Sequence, residues 1–275
     1  MSLDETVRAR LRKVRNFMLD MDGTFYLGDN PIEGSLDFLE ALRRTGRQAL
    51  FLTNNSSKNA GTYVKKLQRM GVTDPFLRVY TSGQATGAYV RKRFAGQRAF
   101  LLGNELLRGE LESMGVCVDN ERPDYVLVGF DTTLDYAKMT RVCDLVRAGL
   151  PYVATHPDFN CPTETGFIPD IGAIMAFIEA STGRKADVIV GKPYGGIVEG
   201  ALEMAGATAA ESAMVGDRLY TDVATGVNFG MTAILVLSGE ATRADMEASP
   251  VKPHLVFDLS LIHISEPTRL GMISY

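Results

Sequence analysis

No apolar run in the sequence approaches the ~18 residues of a membrane span. The first fifteen residues are charged at Asp4, Glu5, Arg8, Arg10, Arg12, Lys13 and Arg15, where a secretory signal would be apolar. Both absences exclude a membrane partner and make the cytoplasm the expected compartment. Cysteine is scarce: Cys117, Cys143 and Cys161 are odd in number and show no C-x-x-C spacing, so neither a disulfide framework nor a zinc site is encoded. Neither a G-x-G-x-x-G fingerprint nor a G-x-x-x-x-G-K-[ST] loop occurs, which removes support for dinucleotide and P-loop chemistry. Positive charge is not in excess either: the balance is 29 − 33 = −4. A nucleic-acid backbone is therefore not the expected partner, and the densest basic run, Arg91 to Arg93, is expected on a solvated face.

What is present is an ordinary globular composition, 45% hydrophobic and 23% charged over 275 residues, enough for one large domain or two modest ones. Apolar strand-like runs at 16–19, 48–52, 79–80, 188–190, 213–215, 232–237 and 254–257 alternate with helical patterns such as Leu36, Leu39, Leu42 and Tyr63, Val64, Leu67, Met70, which end at Gly46 and Gly71. That rhythm predicts an α/β fold with a parallel sheet covered on both faces, in which ligands bind beyond the carboxyl ends of the strands. Polar residues fall at four such ends: Asp20, the run Thr53-Asn54-Asn55, Lys192 in GKP, and Asp217 in GDRLYTD. Further strands at 99–102, 125–128 and 152–155 and helices at 106–114 and 135–148 lie between the second and third of these ends. They read as an inserted α/β module with hinges near Ala95 and Ala186. Cys143 shares a helical face with Met139, Val142 and Val146 and is expected in the core.

Asp20 and Asp22 in DMDGT follow an apolar strand, and two residues apart on an extended chain their side chains point the same way. A carboxylate nucleophile suits phosphoryl transfer, because the aspartyl-phosphate it forms is itself easily hydrolysed. A second carboxyl can protonate the leaving oxygen and deprotonate water. Two aspartates repel a phosphate, so a dication is needed, and Asp217 supplies a further oxygen ligand of the kind Mg²⁺ prefers. Lys192 adds positive charge to the transferring group. Thr53 offers a hydroxyl, and the amides near Asn54 and Asn55 are expected at the start of the next helix, where N–H groups favour anions. Asp222 is placed as an outer acceptor for a metal-bound water or for Lys192. Each motif alone also has a structural reading as a turn or helix cap; their order and their four strand ends together favour chemistry.

DMDGT, LTNNS, VGKP and VGDRLYTD, in that order, resemble the four motifs of the haloacid dehalogenase-like hydrolases. The long insertion resembles the C2 cap of the subgroup of NagD-type and 4-nitrophenyl-phosphatase-like enzymes, supported by TSGQATGAYV, GFDTTLDYAKM and ATHPDFNCPTETGFIPDIGAI. The resemblance implies a Rossmann-like core, residues 1–94 and 187–258, carrying an inserted α/β cap, residues 95–186, and a Mg²⁺-dependent phosphatase of a small phosphorylated metabolite such as a sugar phosphate or a nucleoside monophosphate. It implies Asp20 as nucleophile and metal ligand and Asp22 as general acid and base, with its main-chain carbonyl on the metal. Thr53 and Asn54 then hold the phosphoryl oxygens, Lys192 neutralises them, and Asp217 binds Mg²⁺. Asn55 and Asp222 stand behind these. A homodimer is a candidate assembly.

The loop within ATHPDFNCPTETGFIPDIGA is expected to meet the leaving group, with Asp158 and Asn160 as specificity candidates beside His156, Thr163 and Glu164, while Gly166, Pro169 and Gly172 shape its backbone. His156 shows no metal partner in the sequence and is read as a loop histidine. Phosphoryl transfer to a hydroxyl acceptor is the related alternative, and a receiver-like phospho-switch the alternative from another class; the large insertion and Asp22 both disfavour the switch. Finally, Leu259 to Arg269 reads as the translation of a common transposase-type sequencing adapter, and Ile273 to Tyr275 as its next constant portion. Residues 259–275 are expected to be an adapter-derived tail, not native.

Overall fold

The structure, a computed structural model, describes residues 5–74, 77–163 and 165–257, with side chains from residue 9 onward. The expected adapter-derived tail and Glu164 lie outside the described residues. By its contacts the chain divides into two compact units, one formed by Met1–Leu52, Val64–Val79 and the chain from Ala201 onward, the other by Thr53–Tyr63 and Tyr80–Gly200. Among the described residues no helix is long and apolar enough to cross a membrane.

A six-stranded sheet runs in the order Leu255–Phe257, Thr232–Val236, Ser212–Gly216, Asn16–Leu19, Gln48–Thr53, Val79–Thr81. The central strand is parallel to both neighbours, Leu19 standing opposite Val215 and Phe51. Its residues Phe17, Met18 and Leu19 are all buried, as expected for a parallel strand covered on both faces. Around it Phe17 meets the edge of Phe38 at 5.5 Å and Phe25 the edge of Phe51 at 4.8 Å, a geometry that the ring quadrupoles favour. The expected helices are present as Ser35–Arg44 and Ala60–Arg69.

A five-stranded sheet in the second unit has the order Val188–Ile189, Tyr152–Ala154, Tyr125–Val128, Arg98–Leu102, Cys117–Val118. Helices Tyr136–Arg147 and Ile171–Thr182 close over a core that includes Val128, Val142, Cys143, Val146, Tyr152 and Ile178. Asp135 caps the first of these, its side chain accepting from the Lys138 N–H, and Cys143 is buried as expected.

Two expectations need correction here. The run 188–190 was grouped with the strands of the main sheet, but Val188 pairs with Val153 and Ile189 with Ala154, at the edge of the second sheet. A two-residue strand carries no periodicity from which its neighbour could be read, and chain order alone suggested the wrong one. Lys192 consequently follows a strand of the second sheet. The amides after Thr53 also do not open a helix: Asn55 Oδ1 accepts from the Ser57 N–H in a local turn that competes with helix, and the next helix starts only at Ala60, where Asn59 caps it by accepting from the Thr62 N–H.

Candidate active site

In the first unit the chain leaves the central strand at Asp20, whose N–H donates to Val215 O at 2.9 Å. It then turns sharply: Met21 O accepts from the N–H groups of Thr24, Phe25 and Tyr26, and the Gly23 N–H donates to Tyr26 O. Gly23 takes φ +84°, a left-handed conformation that only glycine adopts without strain. A Cβ at Gly23 would also run into the Asp217 carboxylate, as would one at Gly239, while one at Gly216 would strike Asp222. The missing side chains let backbone close around two buried carboxylates.

Asp20, Asp217 and Asp222 each bring a carboxylate oxygen within 4.8 Å of the others. Asp217 and Asp222 are buried and Asp20 half-buried. Asp217 Oδ1 accepts from the Thr24 hydroxyl at 3.3 Å and its Oδ2 from the Glu240 N–H at 2.7 Å; Asp222 Oδ2 accepts from the Arg218 N–H at 3.1 Å. Burial first, then the neighbouring charges of Asp20 and Asp222, push the Asp217 carboxyl up to about 7, against which the Glu240 N–H and the Arg218 charge offer only partial relief. Like charges at such separations repel by on the order of 3–4 kcal/mol at an effective dielectric near 20. Three hard oxygen donors in a tight backbone cradle, too close to be comfortable as free anions, fit a small divalent cation. Asp22, expected beside them, is half-buried and outside this trio; its Oδ2 accepts from the Tyr26 hydroxyl at 3.3 Å. Asp222, expected one layer out, stands within the trio.

In the second unit Thr53 closes its strand with its hydroxyl accepting from the Asn55 N–H at 3.1 Å. The carboxamide of Asn54 is fully engaged. Its Oδ1 accepts from the Lys192 N–H at 2.8 Å, and its Nδ2 donates to Lys192 O at 3.0 Å and to both oxygens of Asp158 at 3.2 and 3.3 Å. The Ser82 hydroxyl donates to the Asn54 carbonyl. Lys192 is 2% exposed, Thr53 and Asn54 4%, and Asp158 5%, so the ammonium, the hydroxyl and the carboxamide are all withdrawn from water. Gly191 permits this closeness, since a Cβ there would press on Thr155 O and Asn54 Oδ1.

Asp158 is thus tied to Asn54, whereas Asn160 is exposed on the short hairpin Asn160–Thr163 and Gly166–Pro169. Gly172 does shape its surroundings: its N–H donates to Asp158 O, and a Cβ would meet Pro157 O. His156 lies in the loop between Tyr152–Ala154 and Asn160–Thr163, as expected, but not in the open. It is wholly buried, its Nδ1 3.0 Å from Thr155 Oγ1 and its Nε2 3.0 Å from Asp170 Oδ1. Thr155 Oγ1 in turn lies 2.9 Å from Ser56 Oγ, which accepts from the Phe130 N–H, so this network braces the segment after Asn54. Sequence reasoning passed over Tyr26, Gly239 and Ser82 as well; their distance in sequence from the groups they touch, or their apolar setting, left no local sign except the placement of Tyr26 directly behind DMDGT.

Known proteins resemble this chain over nearly its whole length. The sequence profile described as haloacid dehalogenase-like hydrolase matches residues 17–117, and a second profile of HAD-like hydrolases matches residues 189–260. An acid sugar phosphatase of Staphylococcus aureus is 35% identical over 248 residues, covering 90% of this chain and 95% of its own. The crystal structure of a 4-nitrophenylphosphatase from Thermotoga maritima, 49% identical, superposes with a TM-score of 0.89 over 93% of this chain and 98% of that one. A glycerol phosphate phosphatase from Mycobacterium tuberculosis, solved in complex with magnesium, is 28% identical with a TM-score of 0.87 over 96% and 81% of the two chains.

Proposed function

The chain belongs to the haloacid dehalogenase-like hydrolases, among the NagD and 4-nitrophenylphosphatase proteins, and from that membership we propose the roles of its residues and the class of its substrate. It is a Mg²⁺-dependent phosphoric monoester hydrolase acting on small phosphate esters. The substrate we favour is a sugar phosphate or a phosphorylated metabolite of similar size. The observation that carries the reading is the trio Asp20, Asp217 and Asp222, three carboxylates that each bring an oxygen within 4.8 Å of the others.

Asp20 attacks phosphorus with one carboxylate oxygen. The bond from phosphorus to the leaving oxygen breaks, that oxygen takes the proton held by Asp22, and an aspartyl-phosphate is left on Asp20. Asp22, now a carboxylate, takes a proton from water as the water oxygen attacks phosphorus, releasing inorganic phosphate and restoring Asp20. Thr53 through its hydroxyl and Asn54 through its main-chain N–H hold phosphoryl oxygens, since the Asn54 carboxamide is committed to Lys192 and Asp158. The Lys192 ammonium offsets phosphoryl charge. Asp20, Asp217 and Asp222, with the Asp22 carbonyl, are the groups that would hold Mg²⁺. When bound, the ion neutralises charge accumulating on the phosphoryl oxygens.

The same reading assigns residues 95–186 to the cap and 1–94 with 187–258 to the core, with the later boundary moved beyond Val188–Ile189 by their pairing in the second sheet. We propose a cytoplasmic enzyme and admit a homodimer, to be checked by cell fractionation and by sedimentation. Turnover of 4-nitrophenyl phosphate is expected with Mg²⁺ and not after chelation. Asp20→Asn should abolish it while leaving the melting temperature near wild type; turnover retained by that variant would defeat the mechanism.

A further inference from the structure

We propose that His156 is a positioning residue: with its proton on Nε2 and a lone pair on Nδ1, it sets the direction of a buried hydrogen-bond chain that fixes the segment after Asn54 against the one before Lys192. The proposal rests on those segments holding the phosphoryl group. The chain runs from the Phe130 N–H to Ser56 Oγ at 2.9 Å, on to Thr155 Oγ1 at 2.9 Å and His156 Nδ1 at 3.0 Å, and from His156 Nε2 to Asp170 Oδ1 at 3.0 Å. Both ends dictate which way its protons point. Asp170 Oδ1 already accepts from the Ile171 N–H at 2.6 Å, and a carboxylate only accepts, so Nε2 must donate. At the other end Ser56 Oγ accepts from the Phe130 N–H, and among the described residues its own hydroxyl proton has only Thr155 Oγ1 to go to. Thr155 then accepts from Ser56 and gives its proton to Nδ1. The two ends, argued separately, demand the same imidazole.

Burial makes that direction binding. Ser56, Thr155 and His156 are wholly buried and Asp170 nearly so. With the proton on Nδ1 instead, Thr155 would have to turn its hydroxyl toward Ser56, which would leave the Ser56 proton buried without an acceptor and set a bare Nε2 against the carboxylate. The chain also ties together what the functional reading needs held. Ser56 lies two residues after Asn54. Thr155 O accepts from the Gly191 N–H at 2.7 Å, and a Cβ on Gly191 would press on Thr155 O, Asn54 Oδ1 and His156 Cβ. The next residue, Lys192, donates its N–H to Asn54 Oδ1. Thr155 and His156 therefore meet both segments, all within one compact unit. Reversing the imidazole would strain the contact with Ser56 while Gly191 stayed bound, so the two segments would no longer be held to one support.

The tautomer is read directly from the imidazole nitrogen resonances by NMR, in the full chain labelled at histidine, with His254→Asn and His263→Gln removing the other two rings. A protonated Nε2 and a bare Nδ1 are expected; a proton on Nδ1 overturns the proposal. The role is tested by KM and kcat for 4-nitrophenyl phosphate with saturating Mg²⁺ and by Ki for inorganic phosphate. His156→Gln offers an amide in place of Nε2 but leaves Thr155 without its acceptor, so KM and Ki should both rise about 10-fold while kcat stays within about 3-fold of wild type. His156→Asn puts its carbonyl oxygen in place of Nδ1 and should recover most of the affinity. Thr155→Val should behave as His156→Gln does, and Thr155→Ser, which keeps the hydroxyl, as His156→Asn does; this second pair decides if the histidine variants do not fold. Lowered melting temperatures with KM and Ki unchanged would reduce His156 to a structural residue and sink the proposal. Lys192→Met separates the proposal from the reading beneath it. If that variant leaves Ki unchanged, the segments do not hold phosphate and both fall, whereas a raised Ki for Lys192→Met beside unchanged values for His156→Gln and Thr155→Val overturns the positioning role alone.

Discussion

Asp217 is the residue whose charge state the fold most disturbs. Its carboxyl rises from an ordinary 3.8 to about 7 through burial and the nearby charges of Asp20 and Asp222. Without metal, the folded state keeps this proton between about pH 4 and about pH 7, where the unfolded chain has already released it. The unfolded state then binds fewer protons, so the stability contributed by Asp217 is greatest near the lower end and falls as pH rises through that window. Mg²⁺ competes with the proton below about pH 7 and meets a ready carboxylate above it. The melting temperature should therefore rise more on adding Mg²⁺ at about pH 8 than at about pH 5, and equal shifts at both would contradict this protonation. Asp217 could be named as a candidate from its motif, as could Asp20, Asp22, Thr53, Asn54 and Lys192. The contact of Tyr26 with Asp22 and the burial of His156 against Asp170 could not, because each depends on which side chain turns inward after the backbone has closed, and no spacing encodes that.

Among the elements, the three segments around Asn54, Asp158 and Lys192 are held together by one carboxamide. The sequence placed Asp158 as a specificity candidate, for which Asp158→Ala would change preference among esters and spare a small generic one. Its burial and its two contacts to Asn54 Nδ2 lead us to propose that it grips the segment assigned to the phosphoryl oxygens. Losing an acceptor opposite a buried donor costs about 1–3 kcal/mol, so Asp158→Ala should raise KM about 10-fold or more, alike for aryl and alkyl esters and for inhibition by inorganic phosphate. Asp158→Asn, which keeps one acceptor oxygen, should recover most of it. Elements with a long apolar period were readable to within a residue or two, as with Asn16–Leu19, Tyr125–Val128 and Tyr136–Arg147. The hairpin Asn160–Thr163 and Gly166–Pro169 was not, for it is exposed on nearly every position and so shows no alternation to read.

For the whole molecule, the α/β class and the interruption of one sheet's strands by a second α/β module followed from the order of strands and motifs, while the partner of Val188–Ile189 did not, since chain order does not determine sheet neighbours. Residues 259–275, if they are adapter-derived, contribute nothing to catalysis, and a chain ending at residue 258 should match the full one in turnover of 4-nitrophenyl phosphate; a large loss would show the tail to be native. The central strand, Asn16–Leu19, has a further consequence for how the protein is made. One of its two neighbours, starting at Ser212, is 212 − 16 = 196 residues away, which a ribosome adding about 5–20 residues per second takes roughly 10–40 s to deliver. The five-stranded sheet, whose strands all lie between Arg98 and Ile189, is synthesised within that interval. Throughout it the nascent chain presents one open apolar edge to whatever chaperone attends its birth.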